Sequence, residues 1–369
     1  MKKLRMGITT GLCAAAAAKA ATLVLLCSTN LVYQVEITAT SGETFCLEVT
    51  DTVFESGTVK CAVIKDAGDD PDITNGLKVF ASVSKTTASG IEIDGGEGIG
   101  RVTKPGLKVP VGKAAINPVP MEMIKNAIEC ACVKYSYAGG IRAVISIPGG
   151  AEIAKRTMNG RLGIVGGLSV LGTTGIVEPM SDRAVVETTK AEIDVKVASG
   201  IKNLLITPGN YGRDFAGNEI RLNTLDAIKC SNFIGETLDY VCMKGIDKIT
   251  LIGHAGKLVK LAGGVMNTHS TVADCRMEII AAHSALMGAN AAAIQRIMEC
   301  VTTEAAINVL IQTGTDGCIF NKTVWESIGH RIGFHLRERT KGRVIVEYIV
   351  FTQEHGILCQ GSSAQKNVI

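Results

Sequence analysis

Two of the chain's six histidines, His254 and His269, stand in one stretch with Lys257, Lys260, Asn267, Thr268 and Ser270. The stretch follows a short apolar run at residues 248–253. A lone histidine is usually a satisfied structural group, but two beside two lysines and an asparagine make a cluster of another kind. Imidazole titrates near neutrality, so His254 and His269 are candidate general bases or donors lining a pocket. They are too far apart for a single-turn metal motif and no third ligand is evident, so no protein-held metal is expected. A second turn, Thr207-Pro208-Gly209-Asn210-Tyr211-Gly212-Arg213-Asp214, closes the apolar run at 203–207. In open α/β sheets ligands bind beyond the carboxyl ends of the strands, where both turns fall.

Four earlier segments also carry groups of interest. Thr9 and Thr10 precede an alanine-rich run. Either caps a helix there, and amides exposed at a helix start hold anions such as carboxylates; an ordinary cap is the simpler alternative. Residues 65–72 gather Asp66, Asp69, Asp70 and Asp72 after a strand-like run, but the spacing fails the calcium-loop template and fits an acidic solvated turn. Residues 95–106 combine five glycines with Arg101 and Lys104, which offer charge to an acidic ligand. No strand-to-helix context follows them, so a dinucleotide fingerprint does not match, and a flexible loop is the alternative. Residues 162–177, with Thr173 and Thr174, mix glycines and apolar residues as in a ligand-lining turn with free amides; a packing strand between domains is the alternative.

The elements that position these groups change character midway. Runs at 31–39, 45–49, 59–64 and 77–83 are rich in β-branched residues and separated by Gly, Asp and Asn, which predicts an antiparallel meander. A helix is expected over 121–135, a strand over 141–147 and a short helix ending near Arg156. From Ala184 onward short apolar strands alternate with helices: strands at 203–207, 248–253 and 343–351, helices at 224–244, 279–286, 291–298, 303–311 and 324–337. The expected architecture is therefore α/β and α+β in two domains. Residues 1–180 form an α+β domain with a mixed or antiparallel sheet and Gly-rich substrate loops; 181–369 form a Rossmann-like three-layer α/β domain. Residues 361–369 read as a loose tail.

Composition narrows the class. A formal charge of +3, spread along 369 residues, leaves no nucleic-acid footprint, and 4% aromatics argues against stacking platforms for single strands. The longest apolar run, between Cys13 and Cys27, is interrupted by Lys19 and reads as a buried helix rather than a membrane span. The basic start, Met1-Lys2-Lys3-Leu4-Arg5, has no convincing cleavage site after it. Twelve cysteines with no Cys-x-x-Cys pair fit a reduced cytoplasm.

Taken in order, the stretches GITTGLCAAAAAKAA, KDAGDDPDIT, GEGIGRVTKPGLKVPVGKAAINPVP, RLGIVGGLSVLGTTGIV and GHAGKLVKLAGGVMNTHSTVAD, which span residues 7–274, resemble the CbiD family of cobalt-precorrin-5B C1-methyltransferases. Leu12, Ala255 and Cys275 are local departures that remove no charged group. The resemblance implies a role in anaerobic cobalamin synthesis, S-adenosylmethionine as methyl donor, and a cobalt corrinoid substrate that brings its own metal. It implies neither a nucleic-acid nor a membrane partner and leaves a homo-oligomer open. A corrinoid carries acetate and propionate groups on an apolar ring. Thr9, Thr10, Arg101, Lys104, Thr173, Thr174, Lys257 and Lys260 are the expected substrate contacts, and His254 and His269 the candidates to assist proton movement. Thr207, Gly209, Asn210 and Gly212 are expected near the methionine end of the donor, and Glu236 near its ribose. A nucleotide-dependent oxidoreductase and a non-enzymatic corrinoid carrier are the competing readings.

Overall fold

A computed structural model describes residues 4–27, 31–221, 226–313 and 316–364. The fold is mixed α/β, and the chain divides into two compact units, Met1–Ser181 and Asp182–Ile369.

The first unit is built on one buried helix. A short strand β1 (Gly7–Ile8) leads into α1 (Thr10–Cys27), where alanines allow close approach on every side and all residues to Val24 except Lys19 are buried. By length and composition α1 could cross a membrane, but a helix apolar all round is also what a core demands, and α1 lies inside this unit. Strands β2 (Gln34–Thr38) and β3 (Thr44–Glu48) pair as a hairpin. β4 (Asp51–Glu55), β5 (Thr58–Ile64), β6 (Lys78–Thr86) and β7 (Ile91–Gly95) follow, then β8 (Arg101–Val102), α2 (Pro118–Lys134), β9 (Gly140–Ser146) and α3 (Gly150–Ala154). The main sheet has the order β4-β5-β6-β9-β7, antiparallel except for β7 beside β9. Alternating residues such as Val79, Ala81 and Val83 face α1, which packs on β5, β6 and α2. β10 (Ile164–Val165) pairs with β8, and β11 (Ile176–Val177) with β1.

The second unit begins with α4 (Asp182–Ala198) and β12 (Asn203–Thr207). Then come α5 (Asn210–Asn218), β13 (Ile228–Lys229), α6 (Ile234–Met243) and β14 (Lys248–His254). A short α7 (Ala255–Leu258) runs into a 3-10 turn (Val259–Gly263), followed by α8 (Arg276–Leu286), α9 (Ala291–Met298), α10 (Thr303–Ile311) and α11 (Gly317–Thr340). β15 (Ile345–Thr352) and β16 (Gly356–Ser362) close the sheet, whose order is β13-β12-β14-β15-β16; only β16 is antiparallel. The central strands are apolar on both faces, as burial on both sides requires.

Three expectations need correction. The helix expected over 224–244 is a strand and a shorter helix. Ile228 and Lys229 pair in parallel with Ile206 and Thr207, and α6 begins only at Ile234; residues 222–225 lie outside the described residues. The expected turn at 207–214 is a strand end and a helix start, because α5 begins at Asn210. Residues 361–362 belong to β16, paired with Glu347 and Tyr348, so the tail is shorter than expected; 365–369 lie outside the described residues.

Candidate functional site

The parallel part of the second sheet reverses direction between β12 and β14. From β12 the chain moves outward to β13, then crosses back to add β14 on the other side. Such a reversal opens a crevice at the carboxyl ends of the two central strands. Here those ends are Thr207 and His254. Gly212 packs α5 onto β14 at this point: a Cβ there would lie 2.6 Å from the Ile252 carbonyl. Nothing crowds Gly209, whose backbone is extended.

Beside the reversal lies a cavity of about 350 Å³ lined by Asn232, Lys257, Lys260, His269, Ser270 and Arg276, with Gly256 and Thr268. Cationic and hydrogen-bonding groups dominate its wall, and none of the lining residues is a carboxylate. The Lys257 ammonium donates to the Pro208 carbonyl at 3.2 Å, tying the β14 corner to the turn after β12. Burial holds this ammonium below the usual lysine range, and the neighbouring charges of Lys229 and Lys260 add to the effect. Lys260 is 3% exposed and donates to the carbonyls of Thr268 (3.2 Å) and Ala273 (2.7 Å). Among the described residues no carboxylate lies within ion-pair distance of it. Asp274, paired with Arg276, feels the Lys260 charge at longer range; a buried cation with no direct ion pair in the wall of a cavity is suited to an anion. Arg276 is held by Asp274 through two bonds (2.6 and 2.9 Å), which leaves N–H groups on its guanidinium. Cys230, buried beside Lys257, has its thiol pushed up to about 12, so it stays protonated and unreactive.

The two histidines are not equivalent. His269 is exposed, and its Nδ1 accepts from the Thr271 amide (3.2 Å) and hydroxyl (2.7 Å). An accepting Nδ1 puts the proton of the neutral ring on Nε2, so His269 offers a donor. His254 has both nitrogens engaged. Nδ1 accepts the Gly256 amide at 3.2 Å as the cap of α7, and Nε2 lies 3.0 Å from Glu304 Oε1. His254, expected as a general base or pocket donor, is thus held by protein groups at both ring nitrogens.

Glu236 does not share this cavity. It is exposed in the first turn of α6 and lines a separate cavity of about 430 Å³ with Asp182, Arg183, Glu187, Lys190 and Phe233. Among the segments that supply these linings, the Gly235 amide donates to the Met266 carbonyl and the Thr268 amide to the Asn232 carbonyl.

In the first unit the structure gathers Thr9, Thr10, Thr173 and Thr174 around the start of α1. Thr9 is the cap: its hydroxyl accepts the Leu12 amide at 3.2 Å, and the Gly11 amide donates to the Leu171 carbonyl. These helix-start amides are thus occupied by the protein, and Thr9 and Thr10 are both 5% exposed. The Thr174 hydroxyl bonds within its own turn, and the Thr173 carbonyl accepts from Thr40. The segments around residues 100 and 165 pair with each other, the Gly100 amide donating to Leu168 and the Thr103 amide to Gly163. Arg101 is exposed and engaged with Asp94 at 3.0 Å; Lys104 is exposed.

Sequence reasoning missed Asn232, Arg276 and Glu304. The first two stand outside any motif, and Glu304 reaches His254 only because α10 docks at the end of β14.

Residues 1–179 match the family model described as CbiD, and residues 267–362 that described as CbiD, C-terminal domain. A protein of Ruminiclostridium cellulolyticum named cobalt-precorrin-5B C(1)-methyltransferase is 48% identical over 351 residues, covering 95% of this chain and 90% of that one. A protein of Methanocaldococcus jannaschii with the same name is 44% identical over 342 residues, 92% of each. A crystal structure of cobalamin biosynthesis protein (cbiD) from Archaeoglobus fulgidus is 31% identical and covers 70% of this chain and 80% of that chain, with a TM-score of 0.40. With nearly its whole length shared at this level of identity, the chain belongs to the CbiD family.

Proposed function

We propose that this protein transfers a methyl group from S-adenosylmethionine to C1 of cobalt-precorrin-5B, giving cobalt-precorrin-6A, in the cytoplasmic synthesis of cobalamin. The observation that carries the reading is its 48% identity, across 95% of the chain, to a protein bearing that enzyme's name. Cobalt is part of the substrate on this reading. The Rossmann-like character of residues 181–369 belongs to the proposal too: the strand order β13-β12-β14-β15 is that of a doubly wound sheet with one reversal.

The basic cavity suits the substrate's carboxylates. Lys257, Lys260 and Arg276 would each meet an acetate or propionate, with the His269 Nε2–H as a further donor. Arg101, Lys104, Thr173 and Thr174 remain substrate contacts from residues 1–180. The segment bearing Thr207, Gly209, Asn210 and Gly212, at the end of β12 and the start of α5, is proposed for the donor's methionine end and Glu236 for its ribose. In the transfer a C1–carbon bond forms as the sulfur–carbon bond breaks, and the sulfonium becomes a neutral thioether. Charge is lost at sulfur, so positioning and exclusion of water do most of the work.

Purified protein incubated with cobalt-precorrin-5B and methyl-labelled donor should yield a corrinoid heavier by one labelled methyl. A corrinoid that binds but gains no mass rejects the transferase reading in favour of a carrier. Calorimetric binding of a nicotinamide dinucleotide, with none of the donor or its demethylated product, rejects it in favour of an oxidoreductase.

A further inference from the structure

The Glu304 carboxylate has no part in the proposed reaction, yet it lies in a hydrogen-bonded chain that leads to the cavity wall. Its Oε2 accepts from the Thr303 hydroxyl at 3.0 Å, and its Oε1 is 3.0 Å from His254 Nε2. On the far side of the ring, Nδ1 accepts the Gly256 amide. One residue further on, Lys257 donates to the Pro208 carbonyl. Phe351 meets the imidazole edge-on at 5.8 Å, and Tyr211 is tilted against it at 6.5 Å, so the ring is held from its sides as well.

We propose that Glu304 is a positioning residue that acts through His254 to fix the corner presenting Gly256 and Lys257 to the cavity. This deepens the reading of that cavity as the substrate site and rests on it. Donors and acceptors around the ring decide its tautomer. A nitrogen that accepts an amide N–H carries no proton, so the single N–H of the neutral ring is on Nε2. An ionised carboxylate only accepts, so it matches a protonated Nε2 and repels an unprotonated one. The opposite tautomer would set a lone pair against the carboxylate and an N–H against the Gly256 N–H, two repulsions at once. Glu304 thereby selects the form of His254 that caps α7. Its own place is fixed by Thr303 and by the first turn of α10, where a negative charge suits the helix dipole. Arg276, which lines the cavity, also feels the Glu304 charge.

The experiment uses the full-length protein labelled with nitrogen-15 at histidine. Long-range proton–nitrogen correlation at pH ~8, where imidazoles are neutral, reports which ring nitrogen carries the proton, and the His254 signal is identified by its loss in His254→Asn. The expected wild-type pattern is a proton on Nε2. In Glu304→Ala the tautomers should mix, and KM for the corrinoid should rise ~10-fold or more, with a smaller change in kcat, as when a supporting partner of a site residue is lost. Glu304→Gln should restore both, since its amide oxygen still accepts from Nε2. A wild-type proton on Nδ1 overturns the proposal even where the alanine variant does not fold; so does a folded Glu304→Ala with unchanged tautomer and KM. The nitrogen pattern does not depend on the reaction. Failure of the methyl-transfer reading would therefore appear separately, as a wild-type protein with the expected tautomer and no turnover.

Discussion

Replacing Lys260 and Lys257 in turn by methionine separates a buried cation from a half-buried one in the same cavity. Lys260 is 3% exposed, and its ammonium serves the carbonyls of Thr268 and Ala273. Methionine fills much the same volume but leaves both carbonyls without that donor, at ~1–3 kcal/mol for each buried group left unsatisfied. The variant no longer buries a charge, which returns part of this. The net expectation is a loss of ~2 kcal/mol, a fall in Tm of roughly 4–8 °C for a unit of this size. Lys257 makes one bond, to the Pro208 carbonyl, so Lys257→Met should cost only ~1 kcal/mol. Affinity should respond differently: each lysine removed loses a charge-assisted contact of ~1.5–3 kcal/mol, at least ~10-fold in Kd for the corrinoid. Thermal melts and calorimetric titration of both variants provide the comparison. A Lys260→Met protein that melts no lower than wild type, or Lys257→Met with unchanged corrinoid affinity, would refute the account of the cavity as a preformed anion site.

Two further outcomes follow from the geometry. At Asp72, burial pushes the carboxyl up, but hydrogen bonds from Lys65 and Thr74 outweigh it, and the group is held below the usual carboxylate range. Its contribution is therefore complete above the unfolded carboxyl's titration near pH ~4 and is lost as pH falls below it; urea midpoints of Asp72→Asn against wild type from neutral pH to acid should converge at the acid end. At His269, Gln keeps an N–H donor near the Nε2 position while Ala does not, so Ala should weaken corrinoid binding ~10-fold or more and Gln should recover part of it; equal losses of turnover in both, with binding kept, would assign the ring a titrating role instead.

The sequence discloses most of the elements but not their joints. α9 and α10 are legible to the residue because Asn290 and Thr302 cap them with side-chain bonds to Ala293 and Ala305. The core strands of the first unit are legible because β-branched residues alternate in them. β13 is not, because Ile228 and Lys229 are too short a run to separate from the periodic stretch that follows, and only pairing with β12 makes them a strand. At the site, Lys257, Lys260 and His269 meet in one wall as their clustering suggests. Glu304 comes from a helix far along the chain, and Arg276 lies just beyond the stretch that ends at Asp274; no local spacing announces either.

The glycine-rich segments show how one composition serves two purposes. Glycines admit a ligand to the backbone, but they admit another backbone equally well. At Gly98, φ is +73° and a Cβ would sit 1.8 Å from the Ile147 carbonyl; at Gly167 it would meet the Gly98 carbonyl at 2.3 Å. At Gly100 it would meet Ile164 at 2.5 Å and the Gly167 carbonyl at 2.8 Å. Each glycine is thus required by a neighbouring strand or turn of the same unit, and the Gly100 amide is taken up by Leu168. The chemistry these segments offer resides in the side chains they hold outward, Arg101 and Lys104, on a backbone too closely packed to shift. Two glycines of residues 182–369 differ from these. A Cβ at Gly209 would meet nothing within 4 Å, and one at Gly256 would come no nearer than 3.4 Å to the His254 ring. Both glycines flank the reversal between β12 and β14, and neither is required there by a neighbouring backbone.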